Sequence, residues 1–436
     1  MSDPILGLVG LGVLFVAIFV GFPIAFTLGS IALGVGYVAL GPVVLDLAVL
    51  QTQSVMQDTV LAAVPFFLFM GFLLEQSGMM QRLFTGVQLL LGGLRGSLYL
   101  AVITTATVFA AATGIVGSSV TLLGVMASPS MKASGYDVRM SAGAITAGGT
   151  LGILIPPSVM LIVMGPAVGV PATDLFAAAV LPGLMLAGLF AAWCLVRCWI
   201  NPALGPALPV EMRAKSLGPV LLDLAIGVAP VIVVLISTLG VILAGIATPT
   251  DAGAVGCVAT FILTTLSGRL TVAKVKHSIR ATLAVSSMIL MLVVASNLFG
   301  SIFARLGSAE FIANLVTSLQ LPPWMMLALI LLIIFLLGWP LEWVPIVLIV
   351  VPIFLPVVKA AGIDLIWFAT LVAVTLQTAW LSPPVALSAY FLKGVVPEWR
   401  IQDIYAGMAQ FLFLQVIAVI ILMIFPALAT WLPTFN

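Results

Sequence analysis

PSMKASGYD, residues 129–137, returns 227 residues later as PVVKAAGID, residues 356–364, with Pro, Lys, Ala, Gly and Asp in the same places. In the same register and without a gap, Pro156-Pro157 of GILIPPS falls on Pro383-Pro384 of AWLSPPV. Upstream, at an offset of 229, Gly71 and Gly78 fall on Gly300 and Gly307. Isolated glycines match by chance, but seven identities in one ungapped register do not, so the chain is an internal duplication.

Outward from the repeat, the chain is apolar almost throughout. Of 436 residues, 63% are hydrophobic and 7% charged, with a mean hydropathy of +1.33, whereas a soluble domain carries about 25% charged residues. Apolar runs of about 20 residues cross a hydrocarbon core of roughly 30 Å as helices. Such runs are predicted at 5–20, 22–40, 59–78, 139–170, 173–199, 218–245, 251–267, 281–304, 364–392 and 403–432. Two further apolar stretches, 97–136 and 324–362, are too long for one crossing and are interrupted by Gly, Ser or Pro. Both read as re-entrant hairpins, each preceded by an amphipathic segment, Gly78 to Arg95 and Gly307 to Pro322, suited to lying along an interface. The expected fold is an all-α polytopic membrane protein with about ten transmembrane crossings plus two opposed re-entrant hairpins. Residues 1–216 form the first repeat, with hairpin 97–136, broken helix 139–170 and cytoplasmic connector 200–216. Residues 217–436 form the second, with hairpin 324–362 and broken helix 364–392.

Basic residues are retained on the cytoplasmic side. With the N-terminus outside, every Lys and Arg except Arg305 and Lys359 falls inside. An odd number of crossings then separates the copies, which gives an inverted-topology repeat of the kind found in secondary transporters. The first apolar run, starting at Ile5, lacks a basic lead-in and a small-residue cleavage site, so it reads as a retained helix. A net charge of +1 offers no nucleic-acid surface, and Cys194, Cys198 and Cys257 sit in or beside apolar runs as structural filler.

A proline pair inside a membrane helix removes two backbone donors and breaks the helix, which leaves carbonyls without partners at membrane depth. Such breaks offer carbonyls and hydroxyls to a hard cation and helix N-termini to an anion. Each break is expected to face the tip of its own hairpin, residues 114–121 in the first and 338–345 in the second. The sodium-binding candidates are Gly117, Ser118, Ser119, Gly149, Thr150, Gly152, Gly338, Glu342, Gln377 and Thr378. The substrate-binding candidates are Ser119, Thr121, Pro156, Pro157, Ser158, Ser382, Pro383 and Pro384. Each has a plainer reading. Gly, Ser and Thr let membrane helices approach closely, and Glu342 could sit at a hairpin mouth. Asp137 and Asp364 are placed as helix caps, Asp251 after Pro249-Thr250 reads equally as a cap or a site residue, and His277, in RLTVAKVKHSIR, is placed as a solvated cytoplasmic residue.

GGTLGILIPPS, DLFAAAVLPG, ATPTDAG and PPVALSAYF resemble signature stretches of the large membrane subunit of TRAP (tripartite ATP-independent periplasmic) transporters, in order and spacing along nearly the whole chain. The resemblance implies a sodium-coupled, elevator-type permease of the bacterial inner membrane, similar in fold to the divalent-anion sodium symporters, with a periplasmic N-terminus. Na+ would be the coupling ion, with no other cofactor and no catalytic residue. It also implies a small four-helix membrane subunit, a periplasmic substrate-binding protein, and a small organic anion bearing a carboxylate as substrate. There are two departures. Asp251 stands where the family usually has glutamate, and TLQTAWLSPPV is poorer in glycine than the form of most dicarboxylate and sialate members, nearer the branch associated with mannitol or chloroaromatic compounds, which also contains carriers of 2-oxo acids and similar monocarboxylates. A pump would need a GxxxxGK[ST] stretch, which is missing. A channel built from opposed re-entrant loops and a proton-coupled carrier remain as alternatives.

Overall fold

The computed structural model describes residues 3–209, 213, 216–383 and 386–435. Within them the regular structure is helical. Helix α1 (Pro4–Val20) starts at an Asp3 cap that accepts from the Ile5 and Leu6 amides and ends at Gly21, whose φ of +102° stops it. Helices α2 (Ile24–Leu40), α3 (Val43–Gln57) and α4 (Ala63–Gln76) follow. Helix α3 falls between two predicted runs, because Asp46 and several Gln and Thr residues hide its apolar stripe.

Helix α5 (Met79–Leu91) bends from α4 by 59° and is the expected amphipathic segment. Next come α6 (Ser97–Thr113), α7 (Val116–Ala133), α8 (Val138–Thr150), α9 (Val159–Val168) and α10 (Ala172–Ile200). Helix α11 (Leu217–Leu235) runs through a π-turn into α12 (Val241–Leu243), followed by α13 (Pro249–Leu266). Helix α14 (Val272–Arg305) takes in the basic segment expected as solvated chain, because Thr271 caps it by accepting from the Lys274 amide; His277 lies exposed on it. The second half continues with α15 (Ser308–Ser318), α16 (Pro323–Leu337), α17 (Trp343–Pro345), α18 (Val351–Ala360), α19 (Leu365–Thr378), α20 (Leu387–Val395), α21 (Ile401–Ile424) and α22 (Ala427–Thr430).

By length and apolarity alone, 6 of the described helices can cross a membrane, or 7 with the bent α4–α5 pair as one span. Helices α1, α2, α6, α9, α16 and α19 are apolar but have 10–17 residues. The expected runs 139–170 and 364–392 fall short because each is split in two.

The two stretches that match in sequence share local geometry. Asp137 and Asp364 both cap the following helix at φ −61°, ψ 130°, accepting from the amide three residues on at 2.8 Å. Gly135 and Gly362 before them have φ of +70° and +68°. Asp251 completes a cap: Thr248 accepts from its amide and donates its hydroxyl to its carboxylate at 2.7 Å. Helices α8 and α21 pack closely at Gly143 and Gly407. A methyl on Gly407 would lie 1.9 Å from the Arg139 carbonyl oxygen. The connector after α10 is stitched to the base of α6: Gly205 and Leu204 carbonyls accept from the Gly96 amide and the buried Tyr99 hydroxyl at 2.8 and 2.6 Å.

Candidate functional site

The first hairpin reverses tightly. Gly114, at φ +62°, adopts a conformation that glycine accepts without strain, and α7 starts two residues later. Gly117, Ser118, Ser119 and Thr121 therefore lie in the first turns of α7, where a loop tip was expected, because the single left-handed glycine suffices to turn the chain. The Thr121 hydroxyl donates to the Gly117 carbonyl at 2.8 Å, and Ser119 is buried. Ser118 donates to the Glu75 carboxylate at the end of α4. Glu75 was not among the expected residues; its signal is a lone acidic residue closing the apolar run FLFMGFLLEQ.

This tip meets the first break. Helix α8 ends at Thr150 and a 3-10 turn covers Leu151–Ile153. Helix α9 starts only after the cis Pro156-Pro157 bond and Ser158. Gly149 and Thr150 thus belong to a helix end, with the unwound chain just beyond them. A methyl on Gly114 would lie 3.3 Å from the Pro157 carbonyl oxygen, and one on Gly152 3.6 Å from the Ile115 nitrogen. A methyl on Gly149 would meet the Val120 side chain at 2.3 Å, so tip and break approach through glycines. Pro156, Pro157 and Ser158 are buried, and the Ser158 hydroxyl donates to the Ile153 carbonyl at 2.5 Å.

The second break follows α19. The Thr378 hydroxyl donates to the Thr375 carbonyl at 2.5 Å and Ser382 to the Thr378 carbonyl at 2.9 Å. Pro383 is exposed, and Pro384 lies outside the described residues. The two breaks are joined: Gln377 Nε2 donates to Thr150 Oγ1 at 3.0 Å, a pair separated by 227 residues, the repeat offset itself. Both side chains are fully buried. The Thr150 hydroxyl donates in turn to the Ala147 carbonyl at 2.7 Å. Gln377 Oε1 and Thr375 Oγ1 are buried without a hydrogen-bond partner among the described residues. Buried polar groups are normally satisfied, so these oxygens are ready acceptors for a cation or a ligand donor.

The second hairpin opens more widely, with residues 338–342 outside helix. A methyl on Gly338 would lie 3.0 Å from Ala379 Cβ, which sets this tip against its own break. Half-buried Glu342 lines a cavity of about 390 Å³ with Trp339, Trp343, Leu376, Trp380 and the α1–α2 elbow. The structure therefore brings Thr150 to Gln377, the first tip to Gly149 and Gly152, and Glu342 to the second break. Ser118 is gathered with Glu75. Among the described residues no three His, Cys, Asp or Glu side chains cluster as metal ligands.

Residues 11–428 match the family model described as tripartite ATP-independent periplasmic transporter, DctM component. The chain is 29% identical to the C4-dicarboxylate TRAP transporter large permease protein DctM of Rhodobacter capsulatus, over 97% of both chains. It is 27% identical to the sialic acid TRAP transporter large permease protein SiaM of Vibrio cholerae, over 95% of this chain and 96% of that one. The solved structure of the YdaH transporter of Alcanivorax borkumensis superposes with a TM-score of 0.63 at 15% identity, covering 87% of each chain, a likeness of fold.

Proposed function

The chain belongs to the family of the DctM component of tripartite ATP-independent periplasmic transporters, and on that premise we propose that it is a sodium-coupled permease importing a small organic anion by an elevator movement. TRAP transporters work with a small membrane subunit and a periplasmic binding protein; here the binding protein delivers a carboxylate-bearing substrate. Two relatives are named for organic acids, a C4-dicarboxylate and sialic acid.

The observation that carries this reading is the Gln377–Thr150 hydrogen bond with its unpartnered Gln377 oxygen. It joins two broken helices at matching positions, with both side chains fully buried. An anion alone is costly in a low-dielectric centre, and cations bound beside it offset that cost. Oxygen ligands suit sodium as a hard cation: Ser118 and Ser119 with Glu75 at the first tip, Glu342 at the second, and carbonyls of the unwound segments. This reading takes ten crossings, an inverted repeat and a periplasmic N-terminus as its premises. The α1–α2 elbow at Gly21 then lies in the cytoplasmic half, and the neighbouring cavity marks an inward-facing state.

The test is the melting temperature of the purified chain in detergent during a sodium titration, with potassium and choline as controls. An ion that binds only the folded form stabilises it by mass action, by about 2.7 kcal/mol at a hundred times its Kd. Sodium raises the midpoint more than potassium does, and Ser119→Ala and Thr150→Ala weaken the rise. Equal effects of sodium and potassium on a monodisperse protein would sink the coupling.

A further inference from the structure

Where α5 hands over to α6, the linker Gly93-Leu94-Arg95 lies against the last turns of α10 and leaves an open groove of about 460 Å³. Leu94, Leu195, Val196 and Trp199 form its walls, and Arg95 is its one charged side chain. All five are exposed, Trp199 by 79%. A second guanidinium stands at the Gly93 edge. Arg213 donates from Nε to the Leu208 carbonyl at 2.8 Å, and its Nη1 would lie 4.0 Å from a methyl on Gly93. The ion pairs among the described residues are Lys132–Glu398 and Arg139–Asp403, so neither arginine is paired with a carboxylate there. Glu211 lies outside the described residues.

The two helices that build the groove fix its depth. Helix α10, with 29 residues, is long and apolar enough to cross a membrane, and the groove lies on its final turns, where an indole and a cation sit at headgroup level. Helix α5 buries Leu83, Phe84 and Val87 and exposes Gln81, Arg82 and Thr85, as a helix lying along that boundary does. From the groove toward the middle of α10, an exposed apolar lane continues through Ala192, Gly188 and Leu184, one turn apart.

Each part selects a feature of the ligand. A free inorganic anion would be drawn to the arginines and gain nothing from the indole and the lane. A zwitterionic lipid would use the lane, but its own ammonium offsets the charge of its phosphate. Both parts are used by an amphiphile whose head carries a net negative phosphate diester. We propose that this groove binds an anionic phospholipid, with its phosphate held at Arg95 and Arg213 and an acyl chain laid past Trp199 along α10. The site is separate from the broken helices and makes no use of the transported substrate or of sodium.

The experiment titrates the purified full-length chain in detergent with dioctanoyl phosphatidylglycerol, dioctanoyl phosphatidylcholine or inorganic phosphate, and reads binding as a rise in melting midpoint. Phosphatidylglycerol binds roughly tenfold to thirtyfold more tightly than phosphatidylcholine, at about fivefold per arginine, and phosphate shifts nothing. Arg95→Gln melts like wild type before lipid is added, because the exposed side chain holds no other group among the described residues, and it lowers the preference about fivefold. Arg95→Lys keeps most of the preference, and Arg280→Gln, an exposed site on α14, keeps all of it. Equal binding of the two lipids overturns the assignment and leaves this face to a neighbouring protein. A shift reproduced by phosphate alone overturns the lipid as ligand. An unchanged preference in Arg95→Gln, or an equal loss in Arg280→Gln, means diffuse attraction to the basic surface and overturns the site.

Discussion

In the first half, α6 stays helical to Thr113 and reverses through Gly114 and Ile115; in the second, α16 stops at Leu337 and the chain is not helical again until Trp343. At the offset of 227 that holds from Pro129 onward, Val116 falls on Trp343, so both second arms start at the matching place, while α16 ends three residues before the position that matches Thr113. Pro340 explains the difference, because it lacks an amide donor, clashes with the carbonyl four residues back, and pushes Trp339 away from helical backbone. The facing breaks differ in a complementary way. Gly149 and Gly152 of the first stand where the second has Leu376 and Ala379. Glycines on both sides close the first tip on its break, whereas in the second Gly338 alone approaches Ala379, and a cavity of about 390 Å³ lies beside them. Away from the tips the copies share caps and left-handed glycines. The two hairpins have like supports and hold different groups: the Ser118 hydroxyl beside Glu75 in one, indoles beside Glu342 in the other.

The sharpest way to break this comparison is to give the first break the residue of the second. Gly149→Leu places a side chain where even a methyl would meet Val120 at 2.3 Å. Helix α7 cannot yield without moving the Gly114 turn as well. Overpacking of this kind costs about 3 kcal/mol. The expected outcome is a lowered melting midpoint and a largely lost monodisperse peak in size-exclusion chromatography. A variant that melts like wild type would show that the tip is free to stand off, and that the contrast between the halves is accidental.

Much of this framework was legible in the sequence, since a repeat reports which stretches must fold alike. PSMKASGYD and PVVKAAGID located both hairpin exits and both aspartate caps, because a cap depends on a side chain reaching an amide three residues away. The Thr248–Asp251 pair was legible for the same reason. The tip boundaries were less so. One glycine in the left-handed region turns the first hairpin, and composition alone does not say whether the serines after it lie in loop or helix. Helix α3 was missed because its Gln and Thr residues dilute its apolar pattern. Glu75 was missed because its partner, Ser118, is 43 residues away and outside the repeat logic. The Thr150–Gln377 contact was not read from the sequence, which set each break against its own hairpin tip, although the two residues stand at matching positions 227 apart.

A second comparison concerns the hydroxyl of Ser118, whose place in the second half is taken by Pro345. Only the first hairpin can therefore be loosened by removing a tip hydroxyl. Ser118→Ala deprives Glu75 of its donor, which for a partly buried carboxylate costs about 1 to 2 kcal/mol. In a double-mutant cycle with Glu75→Leu, read as unfolding midpoints, the two losses fall short of adding, as expected for residues in contact. Strict additivity would mean that the two side chains do not interact.

The smallest expected effect tests where the copies agree. Asp137→Ala and Asp364→Ala each remove a cap bond of 2.8 Å with the same backbone geometry. Their environments differ: Asp137 is half-buried and its own amide donates to the Leu204 carbonyl of the connector at 3.1 Å, while Asp364 is exposed. Loss of a cap costs about 1 kcal/mol, with a range of about 0.5 to 2. Asp137→Ala should lie near or above that figure and Asp364→Ala at its lower end, because water can replace the lost acceptor at an exposed helix start. Thermal unfolding of both variants beside wild type reads the difference. A larger loss at Asp364 would mean that the second hairpin depends on its cap more than the first, and that its open tip draws its order from the base.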